Sequence, residues 1–404
     1  MPPGGLFRER RFRDVGVYGD YAQGLLDGRI PYRDFFVEYP PGGFLAFMPP
    51  ALLPEGWYLH AFKISMALVG VATLFVVGLI LARLGATDRR LYGGLIAIAL
   101  SPLALGPASL NTYDAFPALL VAAALAALLY GRDSLAFALV GAALAAKLYA
   151  LALVPLFALW LWRQGRSLVR PALAFSAVVL VLVGPLAILG WEGLMESVKS
   201  QTGRGLQIES LGSGVLLAAD RLGWYEADVV RGSTAALSRD LDGALPDAFS
   251  LASTALQVLA VGLVLFLFLR GRLDGSRLVV STAATLVGFV AFARFISPQY
   301  LVWLLPLAPL VGGAAGLVAA ALLGLALVAG QLWFFHYRDV FAVEGVVWLV
   351  LARDVLLVGL YGVLVAVLLR TKIPSSSNTV RQEALSSSAA SGTAAVEGEE
   401  RRSR

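Results

Sequence analysis

Repeated apolar runs near bilayer length constrain this chain more than any single residue does. They fall at 58–82, 91–108, 113–131, 134–149, 150–162, 171–190, 249–269, 278–293, 300–314, 315–335 and 346–369. That makes about eleven crossings, where about 20 apolar residues suffice for one helix. The expected fold is an all-α polytopic membrane helix bundle, since a chain 58% hydrophobic over 404 residues, with mean hydropathy +0.77, would not need such runs in water. Cysteine is absent, which excludes a disulfide framework, a thiolate metal site and a cysteine nucleophile. His60 and His336 are the only imidazoles, so a histidine-rich zinc site is excluded and any divalent metal ion would be held by carboxylates. The net charge of +5 is small for this length and forms no nucleic-acid stripe.

The placement of charge is more informative than its sum. Arg83, Arg89 and Arg90, then Arg132, then Arg163, Arg166 and Arg170, then Arg270, Arg272 and Arg277 sit between apolar runs, and Arg370 and Lys372 follow the last one. If crossings alternate, all of these short basic loops fall on one face, which the positive-inside rule makes cytoplasmic. The rule also favours splitting 134–162 into a hairpin, because one crossing there would put the next three arginines outside. The expected organisation is an extracytoplasmic loop at 1–57, a first transmembrane block at 58–190, an extracytoplasmic loop at 191–248, a second block at 249–370 and a disordered cytoplasmic tail at 371–404. From about residue 374 the composition of Ser, Ala, Gly, Thr and Glu cannot build a packed core.

The polar segments with specific geometry then share the outer face. Asp14, Asp20, Asp27, Asp34 and Glu38 lie within the opening segment. Asp14, Tyr18 and Tyr21 have helical spacing and share a face, and Gly28 is a plausible stop. "YPPGG" cannot continue a helix and fixes an extended turn before Phe44–Leu53 dip back toward the bilayer. The plain alternative is an amphipathic surface helix and a stiff loop. Lys147 and Asp114 lie in or at the edge of apolar runs, which is costly unless they pair or face a cavity. Pairing with each other to hold the bundle is one reading, and a ligand role the other. Arg353 and Asp354 are adjacent within a crossing, are expected to point to different faces, and leave neighbouring helices to satisfy them. Trp57, Tyr58, Trp191, Trp303, Trp333 and Trp348 fall near the expected interfaces, as an aromatic belt would. "GSG" at 212–214 is no phosphate loop, lacking the preceding strand and the following Lys-Ser/Thr.

The order of motifs resembles a known family. D-x-x-x-Y from Asp14, G-x-x-P-Y-R-D-F from Gly28 and E-Y-P-P-G from Glu38 resemble glycosyltransferase family 87, the polyprenol-phosphate-mannose-dependent mannosyltransferases of the C-type glycosyltransferase fold. "NTYDAFPALL" at 111–120, "GAALAAKLYALALVPL" at 141–156, "RGLQIESL" at 204–211 and "SPQYLVWLLPL" at 297–307 continue the likeness. Ala150 stands where the family suggests proline, and Arg294 where lysine is more usual. The family also implies a first crossing helix before the Asp loop, which is expected to be missing from this sequence.

The resemblance implies a glycosyltransferase taking mannose from a polyprenyl-phosphate donor to a lipid or cell-envelope glycan acceptor, outside the membrane and with inversion. Asp14 becomes the candidate base, with Asp20 its rival on another helical face. Glu38 and Tyr39 either order the loop or bind sugar hydroxyls, and Tyr18, Asp34, Asp114 and Lys147 complete the expected binding set with Gln207, Gln299 and Tyr300. Arg204 and Arg294 are the candidate phosphate ligands. For Arg204 the alternative is a salt bridge with Glu209, and for Arg294 snorkelling to headgroups. A transporter or flippase is the rival class; it predicts broken helices paired in two repeats. A non-catalytic envelope-assembly protein is the third reading.

Overall fold

The described residues, 14–54, 56–231, 238–335 and 345–370 of a computed structural model, are helical through most of the apolar runs. α1 (Asp14–Leu26) and α2 (Phe44–Ala51) precede α3 (Tyr58–Arg83), α4 (Asp88–Leu105), the single turn α5 (Ala108–Asn111), α6 (Ala115–Leu129) and α7 (Asp133–Ala146). α8 (Val154–Arg163) and α9 (Val169–Leu189) follow, and then α10 (Trp191–Thr202), β1 (Leu206–Gln207), α11 (Leu211–Arg221), β2 (Asp228–Arg231) and β3 (Arg239–Asp242) build the long loop. α12 (Ala244–Arg270), α13 (Gly275–Ala291), α14 (Gly313–Phe335) and α15 (Val346–Arg370) come last. The basic stretch Arg8–Arg13, the turn with His336 and the tail from 371 lie outside the described residues. Five helices, α3, α9, α12, α14 and α15, are long and apolar enough to cross a membrane, and the other apolar helices are shorter.

The arginines between the runs converge on one face because helix ends there need donors for their last carbonyls. Arg83 donates to the Leu129 carbonyl at 3.0 Å, and Arg163 to those of Phe268 and Gly271 at 2.5 and 2.7 Å. Arg166 pairs with Asp133 at 2.8 Å, which brings the end of α8 back to the start of α7 as a hairpin requires. Arg277 donates to Leu267 and Leu368, tying α12 and α15 to the start of α13. Gly271 makes room for that guanidinium, since a Cβ there would lie 1.7 Å from its central carbon. Gly85, Gly131 and Gly165 close α3, α6 and α8 in the left-handed region, at φ 64°, 71° and 66°, the usual glycine stop.

Burial separates two kinds of apolar helix. α13 is packed on nearly all sides and carries its hydroxyls Ser281, Thr282 and Thr285 fully buried. α9 is the converse: none of its central apolar stretch is buried, as suits a helix whose solvent is lipid.

Two stretches abandon the α-helix. Lys147 is extended, at φ −157° and ψ 130°, and Leu148–Leu153 form a 3₁₀ helix before α8. Residues 300–314, which the hydropathy suggests as a crossing helix, instead run through 3₁₀ pieces at Pro298–Leu304 and Ala308–Leu310. The reason is local: Pro298, Pro306 and Pro309 each remove a donor and clash with a helical i−4 carbonyl. Such backbone survives at depth only when covered by protein, and Tyr300 through Leu304 are all buried. The long loop holds a feature the sequence did not suggest, a three-stranded antiparallel sheet in the order β1-β3-β2 with Leu206 opposite Leu241.

Candidate active site

At the end of the bundle away from the arginine ties, the proline-glycine turn is set by close backbone approach. Pro40 is extended and Pro41–Gly43 make one 3₁₀ turn. Gly42 lies on the C-terminal end of α7, where a Cβ would sit 2.5 Å from the Ala145 carbonyl carbon and 2.6 Å from the Ala146 nitrogen. The preceding loop is clasped from the other side by the α9–α10 junction, where a Cβ at Gly193 would lie 1.9 Å from the Tyr32 oxygen. Tyr32 is the one described non-glycine residue at positive φ, 67°, and its hydroxyl donates to the Tyr39 carbonyl at 2.5 Å.

This turn delivers Glu38 and Tyr39 to a ring-lined cluster. Asp114 is fully buried at the start of α6 and pairs with Lys147 Nζ at 2.7 Å. The same Asp114 oxygen accepts the Trp303 indole N–H at 2.7 Å, while its Oδ2 has no partner among the described residues. The Lys147 ammonium lies 4.7 Å from the ring centre of Tyr113 and 5.6 Å from those of Tyr39, Tyr300 and Trp303, within cation–π range. Both 3₁₀ stretches feed the cage, for Tyr149 stacks on Trp303 at 3.9 Å and Tyr300 on Trp303 at 4.2 Å.

α1 brings the expected base to the same cluster. Tyr18 is buried, stacks on Phe47 at 4.5 Å and meets Tyr113 and Tyr39 edge-on, each at 5.4 Å. Asp14, one turn earlier, is hydrogen-bonded by Tyr18 and feels Asp114, Glu38 and Lys147. Burial first, and then the Asp114 and Glu38 charges, push its carboxyl up to about 7 against the pull of Lys147. Such a group holds or releases a proton near neutrality.

Glu38 pairs with Arg204 Nη2 at 2.5 Å, and its carbonyl accepts from Ser197 and Gln201 of α10 at 3.1 and 3.0 Å. The Arg204 guanidinium stands 5.3 Å from the Phe295 ring centre, and its buried Nε has no partner among the described residues. The Arg204–Glu209 bridge considered from the sequence is therefore not formed. Glu209 instead meets Arg353, whose Nη1 lies 3.4 Å from the carboxylate, and burial pushes Glu209 up to about 7 despite that cation. Arg353 also pairs with Asp354 at 2.9 Å, contrary to the expectation that neighbours on a helix would point apart. The long guanidinium folds back along its own turn while still reaching Glu209.

The other sequence candidates lie around this centre. Asp20 is exposed on the outer side of α1. Asp34 is exposed and closes its own turn, accepting from the Ile30 N–H at 2.7 Å and from Arg33 at 2.9 and 3.1 Å, so it faces away from the rings. Arg294 is half-buried and donates to the Thr202 carbonyl, while its own carbonyl accepts from the Gln207 N–H at 3.0 Å. It staples the loop to the end of α13. Gln207 is buried with Oε1 unpartnered among the described residues, and Gln299 is half-buried. Tyr113, Phe295 and Trp303 join the cluster beyond the residues expected from the sequence. Their positions beside Asp114, Arg294 and Tyr300 carried the signal. Trp303 and Trp333 are buried anchors rather than part of an interfacial belt. Among the described residues the carboxylates form no group of three or more able to hold a metal ion. At Asp114 the neighbouring cation is Lys147.

A comparison with family models matches residues 36–298 to glycosyltransferase family 87. The matched stretch includes Glu38, Asp114, Lys147 and Arg204 and begins after α1. A comparison with curated proteins returns no match.

Proposed function

This chain belongs to glycosyltransferase family 87 and is a membrane glycosyltransferase, and from that premise we propose that it moves mannose from a polyprenyl-phosphate donor to a lipid or cell-envelope glycan acceptor. In the reaction the acceptor oxygen attacks the anomeric carbon opposite the phosphate, the sugar–phosphate C–O bond breaks, and polyprenyl phosphate leaves. The hydroxyl proton passes to Asp14, and the in-line geometry inverts the anomeric centre. One observation carries this reading: a carboxyl tuned near neutrality sits in one cluster with Lys147 and, through Glu38, with Arg204.

Arg204 and Lys147 are the phosphate ligands of this proposal. Arg204 spends one donor on Glu38 and keeps a buried Nε without a partner among the described residues, which leaves donors for phosphate oxygens. The rings of Tyr39, Tyr113 and Tyr300 supply flat faces for the sugar. The positive-inside rule supports a multi-pass plasma-membrane protein with the arginine-tied face and C-terminus cytoplasmic and the carboxylate cluster extracytoplasmic. The two 3₁₀ breaks are what a transporter would also use, but here both carry rings that surround Lys147.

The test is transfer of labelled mannose from polyprenyl-phosphate mannose to endogenous lipid acceptors, in membranes carrying the wild type or Asp14→Asn at equal expression. The variant is expected to lose a factor on the order of 100 to 10,000 in rate. Undiminished transfer would remove Asp14 from its role, and no transfer by correctly inserted wild type would overturn the donor assignment.

A further inference from the structure

A cavity of about 560 Å³ opens at the opposite, arginine-tied end of the bundle. It is separate from the carboxylate cluster and plays no part in the chemistry above. Arg83, Arg272 and Arg277 line it, with Ser276 and Trp160. The single carboxylate in the wall, Asp274, is already engaged. It caps α13 by accepting the Arg277 N–H at 2.8 Å and lies 3.5 Å from Arg272 Nε. Three guanidinium groups therefore face one committed carboxylate. The first turn of α13, a helix of 17 residues, adds its positive end. Independently of the helix end, the indole N–H of Trp160, 7% exposed, is a buried donor without a partner among the described residues.

The rest of the lining is apolar, from the ends of α3, α6 and α15. A basic floor beside apolar walls between crossing helices is the arrangement that suits a lipid headgroup with its chains along the bundle. We propose that this cavity is a second anion site, which takes the phosphate group of an anionic lipid on the arginine-tied face. Arg272 is exposed and has only its 3.5 Å contact with Asp274 to give up in closing on the phosphate, whereas Arg277 is held by the carbonyls of Leu267 and Leu368 and serves as a fixed positive wall.

Thermal unfolding of the purified full chain in neutral detergent tests this, with dioleoylphosphatidic acid, dioleoylphosphatidylcholine or inorganic phosphate added. Phosphatidic acid is expected to raise the midpoint saturably and phosphatidylcholine to leave it unchanged. Arg272→Gln should weaken the apparent affinity about tenfold or more, and Ser276→Glu should abolish it by placing a carboxylate in the cavity. Arg270→Gln, on the same face but outside the lining, should bind as the wild type does. Protection by inorganic phosphate with the same pattern of variants would keep the anion site and overturn the lipid as its source. Equal protection by phosphatidylcholine, equal loss in Arg270→Gln, or full binding by both cavity variants would overturn the site itself. None of these readouts depends on sugar transfer.

Discussion

Replacing Gly42 by alanine adds one methyl group where the proline-glycine turn rests on α7. The new carbon would begin 2.5 Å from the Ala145 carbonyl carbon and 2.6 Å from the Ala146 nitrogen, where ordinary contact starts at 3.4 Å. Both obstacles are backbone, so no side chain can rotate away. The turn and the end of α7 must part by roughly 1 Å, and at a reacting centre that displacement costs about 100-fold in rate. The consequence is specific because Lys147 is the residue after Ala146, while Glu38 and Tyr39 lead directly into the turn. Overpacking of this kind costs about 1–3 kcal/mol of stability, so the chain should still insert and fold. Initial rates of mannose transfer per mole of monodisperse protein are the measurement, with Gly78→Ala as control, since nothing lies within 4 Å of a Cβ there. A Gly42→Ala rate within threefold of the wild type would refute the claim that this contact positions the cluster.

Asp14 carries a pH prediction with two opposite signs. As a base raised to about 7, it must ionise to act, so the transfer rate at limiting substrate should climb through pH 6–8 and level above. In stability the order reverses: the folded carboxyl holds its proton more tightly than an ordinary aspartate, which titrates at 3.8. Its stabilising contribution is complete below 3.8 and lost as pH rises through about 7, and an unfolding midpoint that falls as activity rises is the expected signature. Asp14→Asn should flatten that part of the midpoint curve. The Lys147–Asp114 pair, 12% and 0% exposed, gives a third test. Asp114→Asn should destabilise the fold by about 3–5 kcal/mol by leaving a buried ammonium unpaired, and adding Lys147→Met should recover part of that loss in a double-mutant cycle.

What could be read in advance was whatever depends on spacing along the chain. The helical face of Asp14, Tyr18 and Tyr21, the stop at Gly28, the convergence of the basic loops and the Lys147–Asp114 pair all follow from periodicity and the cost of a lone charge among apolar residues. Partner choice among several buried ions does not follow from spacing. Arg204 could reach Glu209 along its own loop, yet Glu38 arrives from a turn more than 160 residues away and takes it, freeing Glu209 for Arg353. Hydropathy likewise sees 300–314 as one apolar run and is blind to the prolines that turn it into 3₁₀ pieces. The ring cage escaped because aromatics near polar turns read as interfacial anchors until the two breaks bring them together around one ammonium.

The 3₁₀ stretch from Pro298 to Leu310 also bears on how this protein is made. A nascent α-helix can settle in lipid alone, because its backbone polar groups satisfy one another. This stretch cannot: proline removes donors at 298, 306 and 309, and its short 3₁₀ turns leave amide groups that hydrocarbon would penalise. Its shelter comes from α6 and α13, already synthesised, and from α14, which follows it. The stretch is therefore expected to enter the bilayer together with α14 and not as an independent helix. Trp303 and Tyr300 belong to this stretch, so the ring cage around Lys147 is expected to close only once that packing is in place.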